Sequence, residues 1–217
     1  MEKSRRKATR DKGLGTTGPK GQRKERPITQ GLKKEKLELV DDSGNCIAYE
    51  LYTNSVALAD FVYGLQYKDL CGACPEQGKR LSCPPHSPFF PDYIGKAREA
   101  LVICVRFPGE SFPSLGPAKD ALTRYFRKAG GVLVDILLDY RSQGYVIAGS
   151  GPCLACAQCA AEKGLKVCSK PDRRIYSLES LGVNVALLCK KAFDLDLEWT
   201  SDGRAPGHVC TVGSVFA

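Results

Sequence analysis

The sequence predicts an α+β or α/β fold, a small sheet with flanking helices that carries two cysteine-rich loops. Three observations lead there. Alternating apolar and polar residues surround a turn near the start of the ordered region, which reads as a β-hairpin. Apolar residues recur at helical spacing further on. Between these elements lie two stretches rich in cysteine, proline and glycine, where neither helix nor central strand is credible.

Ordered structure is expected from about Lys34, giving a basic disordered tail over 1–33 and a single cysteine-rich domain over 34–217. KLELVDD and CIAYELY flank Ser43-Gly44-Asn45 and form the predicted hairpin. Asn54 or Ser55 is then expected to cap a short helix reaching about Leu65. Residues 71–91 contain Pro75, Pro84, Pro85, Pro88 and Pro91 and are expected to form a loop. ALVICVRF (100–107) reads as a buried strand.

Ala118, Ala121, Leu122, Tyr125, Phe126 and Ala129 share one helical face, with Gly130 as the expected stop. A second helix is expected over Val132–Arg141, where Leu133, Ile136, Leu137 and Tyr140 share a face, and Gly144 ends it. YVIA (145–148) is a strand that leads into the second cysteine-rich stretch. Ser177–Lys190 reads as a helix, DLDLEW (194–199) as an alternating strand, and HVCTVGSVF as the last strand.

Composition narrows the chemistry. The 217 residues include 11 cysteines but only 2 histidines, so sites needing several imidazoles are excluded and sulfur is the expected donor. The first residues, MEKSRRKATRDKGLG, are charged throughout and do not read as a secretory signal. Apolar runs such as Val132–Leu138 are too short for a bilayer span, so a cytoplasmic location is expected, where thiols stay reduced. The formal net charge is +8. Residues 1–27 hold ten basic and three acidic residues, a net of +7, which leaves +1 for the rest. That segment can bind nucleic acid or an acidic partner by charge alone, or serve only as a solvated extension.

Two constellations carry the chemistry. In GPCLACAQCAAEKGLKVCSKP, Cys153, Cys156 and Cys159 have the C-x2-C-x2-C spacing that bacterial ferredoxins use, and Cys168 follows. Two-residue spacers let the backbone curl so that successive thiolates converge, and the small residues around them permit close approach. Thiolates suit both iron–sulfur clusters and zinc. Three cysteines in one run favour the cluster, while four-thiolate zinc sites more often pair two distant C-x2-C knuckles.

In CGACPEQGKRLSCPPHSP, Cys71 and Cys74 form a knuckle and Cys83 precedes Pro84-Pro85. Lys79 and Arg80 are placed to offset the charge of a thiolate-held cluster. The fourth ligand of this set is open: Cys46 or Cys210 from elsewhere, His86 in the same loop as a substitute, a ligand exchanged between the two motifs, or an iron left free as a Lewis acid. Cys104 and Cys189 lie in apolar runs and read as small core residues. The radical S-adenosylmethionine signature, a Walker A loop and a G-x-G-x-x-G fingerprint are all missing from the sequence. Asp135 and Asp139, four apart, read as a solvated helix edge.

These residues resemble a family of small cysteine-rich proteins from mainly anaerobic microbes, the predicted metal-binding proteins of domain of unknown function 2284. The likeness runs from about Cys71 to Val185. It rests on Cys71, Cys74, Gly78-Lys79 and Ser82-Cys83-Pro84-Pro85, then Gly151-Pro152-Cys153, Cys156, Cys159, Cys168, Pro171, Ser177, Glu179, Gly182 and Val185. Leu81, Tyr176 and Asn184 stand where an aromatic, a proline and an aspartate are usual. The resemblance implies metal binding.

The leading expectation is an iron–sulfur protein with one or two [4Fe–4S]-type clusters, on Cys153, Cys156, Cys159 and Cys168 and on Cys71, Cys74 and Cys83. It would pass electrons to a partner enzyme as an electron-transfer or accessory protein. The alternatives are a zinc-stapled adapter that uses its basic tail, and an enzyme or maturation factor with an open iron.

Overall fold

A computed structural model describes residues 28, 30–40, 44, 46–109, 118–198 and 206–217, with no side chains described for 118–125. The basic segment 1–27, on which the tail expectation rests, lies outside the described residues, as do Ser43, Asn45 and Trp199.

Among the described residues, five strands form one antiparallel sheet: β1 (Lys33–Val40), β2 (Cys46–Ala57), β3 (Glu99–Pro108), β4 (Val146–Ala148) and β5 (His208–Phe216). Their order is β1-β2-β3-β5-β4, and all four pairings are antiparallel. The predicted hairpin is the β1–β2 pair, joined through Gly44, whose φ of 84° suits a turn glycine. With its helices α1 (Leu65–Asp69), α2 (Phe90–Ile94), α3 (Ala118–Ser142), α4 (Leu178–Leu181) and α5 (Val185–Phe193), the fold is α+β.

β3 explains the architecture. ALVICVRF is apolar at every position except Arg106, so both faces of the strand need cover. Ala100, Val102 and Cys104 pack on one side with Phe90, Leu181, Leu188 and Phe216. Leu101, Ile103, Val105 and Phe107 pack on the other with Ala129, Leu133 and Leu137 of α3. The result is three layers, with α3 on one face and α2, α4 and α5 on the other. Cys104 and Cys189 are fully buried in the first of these cores, as expected.

Four local expectations are corrected. Asn54 and Ser55 cap no helix; they lie inside β2, which stays paired with β3 as far as Ala57. Their side chains hold other segments instead, Asn54 donating to the Ala192 carbonyl at 2.7 Å and Ser55 to the Ile28 carbonyl at 2.6 Å. Gly130 does not stop a helix, because α3 runs unbroken through Gly130-Gly131 for 25 residues. The two glycines cost about 1 kcal/mol each relative to alanine, less than the burial of Leu133, Leu137 and Tyr140 returns.

Conversely, Ser177–Lys190 is two helices. Gly182, at φ 92°, ends α4, and Asn184 caps α5 by accepting the Leu187 amide. A side chain at 182 would lie 2.9 Å from the Gly64 carbonyl oxygen, so only glycine fits this crossing. Asp194–Glu198 is irregular, not a strand: its alternation reflects Leu195 and Leu197 leaning on the core while Asp194 and Asp196 pair with Lys190. Among the described residues no helix is long and apolar enough to cross a membrane.

Candidate metal centre

The first cysteine-rich loop leaves the core at α1. A short 3-10 turn at Leu70–Ala73 carries Cys71, and the Cys74 amide folds back onto the Cys71 carbonyl at 3.0 Å. The chain then turns through Gly78, whose amide reaches the Pro84 carbonyl, and Cys83 follows, with a cis bond between Pro84 and Pro85. Two anchors hold this proline-rich segment. Lys68 donates to the carbonyls of Ser87 and Pro88 at 2.6 and 3.0 Å, and the buried Ser87 hydroxyl donates to the Ser180 carbonyl in α4 at 2.7 Å.

These anchors set Cys71, Cys74 and Cys83 along one cavity of about 570 Å³ between the loop and α4. Cys74 is exposed, while Cys71 and Cys83 are half-buried. Burial first, then the neighbouring Cys74 and Cys71 sulfurs, push the Cys83 thiol up to about 11. Burial, Glu179 and Cys74 likewise raise Cys71, against the pull of the Lys68 ammonium. Cys71 and Cys83, whose ionisation is opposed by burial and by a neighbouring sulfur, are set to take up positive charge.

The second loop follows β4 directly, and the Gly149 and Leu178 amides tie its two ends together across the Gly149–Ser177 bridge. Arg141 at the end of α3 donates to the Asp172 and Arg174 carbonyls and fixes its exit. Cys153, Cys156, Cys159 and Cys168 are all half-buried on this loop. The Cys156 sulfur lies 3.7 Å from the hydroxyl of Ser169, next to Cys168. Cys159 starts a 3-10 turn at Ala160–Lys163, where the Glu162 amide meets its sulfur and the Glu162 carboxylate accepts its amide.

The two loops dock on each other. The Leu81 amide points at the Cys159 sulfur at 3.5 Å, and the Ser82 hydroxyl accepts the Cys153 amide at 3.4 Å. Arg80 pairs with Glu76 of its own loop at 3.2 Å and with Glu162 of the other at 3.8 Å. Of the two basic residues singled out in the sequence, Arg80 occupies the junction and Lys79 is exposed.

Two carboxylates line the first cavity, Glu76 and Glu179. Arg80 engages Glu76. Glu179 is partly exposed as a residue, yet its Oε2 is buried without a hydrogen-bond partner. Burial raises this carboxyl above its usual range, against the lowering effect of its own amide and its neighbours Ser177, Gly151 and Ser150. Glu179 and Lys68 had no role assigned from the sequence. Helical spacing marks neither, since the property that matters, burial beside the thiols, comes from the docking of distant segments.

The other possible donors do not line this cavity. Cys46 sits in the β1–β2 hairpin against Glu38, Cys210 in β5 beside Cys104, and His86 is exposed. Among the described residues, no three Cys, His, Asp or Glu side chains converge on one metal ion. A tetrahedral zinc site would draw its sulfurs to within about 4 Å of one another, given Zn–S of about 2.3 Å.

A family described as predicted metal-binding protein (DUF2284) matches residues 55–216 by its sequence profile. The chain belongs to this family. The match takes in both cysteine-rich loops, β3, β4 and β5, and only the last three residues of β2. No curated protein and no solved structure matches the chain. For a metal-binding family the donor set fits: seven half-buried or exposed thiols on two touching loops, with Glu179, which has a buried unpaired carboxylate oxygen, lining the same cavity as three of them.

Proposed function

We propose that the chain is an iron–sulfur protein, holding one or two [4Fe–4S]-type clusters and passing electrons to a partner enzyme. One observation supports the choice of cluster over zinc: Cys71, Cys74 and Cys83 are spread along one cavity. A cluster of iron and sulfide is bulkier than an ion and is reached by thiols spread around it. Cys71, Cys74 and Cys83 would hold one centre, and Cys153, Cys156, Cys159 and Cys168 the other. When bound, such clusters supply one-electron transfer at a potential set by amide hydrogen bonds and local charge.

The chain's own groups suit that task. The Leu81 and Glu162 amides address the Cys159 sulfur, and the Arg80 guanidinium stands beside it, all favouring the more negative, reduced state of a centre there. Leu154, Leu165 and Val167 are exposed on the second loop and offer an apolar contact for a redox partner. The net +7 of residues 1–27 would attract an acidic partner or nucleic acid. A reducing cytoplasm is the compartment in which such thiols stay available.

Anaerobic purification with metal and sulfide analysis tests the reading. The expected result is a brown protein with iron and acid-labile sulfide in matched amounts. A colourless protein with stoichiometric zinc would overturn it and leave a zinc-stapled adapter.

A further inference from the structure

We infer that the Glu179 carboxylate is the fourth protein ligand of the centre held by Cys71, Cys74 and Cys83. The inference rests on the iron–sulfur reading and names the ligand which that reading leaves open. Glu179 sits in α4, one residue from the Ser180 carbonyl that anchors the proline-rich segment, so helix and loop are tied at this point. Its main-chain carbonyl lies 3.9 Å from the Cys71 sulfur. Glu179 is one of the residues that line the thiol cavity, and its Oε2 is buried without a hydrogen-bond partner.

An unpaired carboxylate oxygen in such a place is costly, and the cost falls away when a cation sits against it. The competing donors do not meet these conditions. Glu76 is engaged by Arg80, His86 is exposed, and Cys46 and Cys210 are held in the sheet. Three thiolates and one oxygen donor would make the four irons unequal. The iron facing Glu179 would carry the harder, more easily exchanged ligand. The cavity beside it gives a small molecule or anion room to reach that iron, so this centre would exchange ligands while the other stays closed.

The test compares full-length wild type, Glu179→Gln and Glu179→Cys after anaerobic reconstitution with iron and sulfide. Electron paramagnetic resonance, Mössbauer spectra and iron counts are the readouts. In Glu179→Gln the expected result is the loss of about one iron per chain with sulfide retained, and the signal of a three-iron cluster. In Glu179→Cys the iron count should return to the wild-type value, with the spectrum of an all-thiolate centre.

The second loop's centre and far-ultraviolet circular dichroism serve as internal references for folding. If Glu179→Gln keeps the full iron count and the wild-type spectrum, the assignment falls while the iron–sulfur reading stands. If Glu179→Gln fails to fold, Glu179→Cys decides: an introduced thiol that stays free to alkylation in the loaded protein also overturns the assignment. Wild type without iron or sulfide would remove the iron–sulfur reading itself.

Discussion

Glu50 illustrates how much one side chain can be asked to hold. It lies on β2, with Lys34 of β1 at 2.7 Å and Arg106 of β3 at 3.0 Å, and the Tyr52 hydroxyl donates to it at 2.8 Å. Burial works to raise its carboxyl, but the hydrogen bonds from Lys34, Tyr52 and Arg106 outweigh burial and bring it from 4.5 to about 2. A carboxylate whose folded value is depressed adds stability above its unfolded value, and this is lost as pH falls through the folded one. The stability contributed by Glu50 should therefore be complete above about pH 5 and decline from there towards pH 2. Urea midpoints measured across that range should fall less steeply for Glu50→Gln than for wild type; equal slopes would show that the three strands are not tied through this group.

At the scale of the element, α3 is the most informative. Its glycine pair looks like a terminator when only local preference is considered, yet the helix continues because Ala129, Leu133, Leu137 and Tyr140 all seat on the sheet. A Cβ at Gly131 would meet no atom within 4 Å, and the backbone there is helical. Gly131→Ala should stabilise the protein by about 0.5–1 kcal/mol, a rise in Tm of about 1–4 °C, read by thermal unfolding. A decrease would mean that the pair is retained for a bend.

The same contrast marks what was legible in the sequence. β3, β5 and the β1–β2 hairpin are plain from runs of apolar residues and from alternation. The α4–α5 break was hidden because Gly182 answers to the Gly64 carbonyl, a contact 118 residues away in the chain. At the candidate site the cysteines announce themselves by spacing, whereas Glu179 is defined by its surroundings and Arg80 by the second loop it meets.

For the whole molecule, the two loops behave as one unit. Arg80 is where they join, salt-bridged on both sides while only partly exposed. Arg80→Met keeps an unbranched apolar stem and removes both pairs. Outer-shell partners of metal sites contribute tenfold or more to metal retention. On the proposed reading, metal release to a chelator from the loaded variant should therefore speed up by about tenfold. Unchanged release would show that each loop keeps its metal independently.

The docking of the loops also bears on how the protein is made. Leu81 and Cys159, joined through an amide and a sulfur, are separated by 78 positions in the chain. At a synthesis rate of about 5–20 residues per second, the first loop waits on the order of 4–16 s before its counterpart leaves the ribosome. During that interval its thiols lack the wall formed by α4 and the second loop, and α4 is translated later still. A nascent chain that picked up metal early would do so before α4 and the second loop had closed on the first.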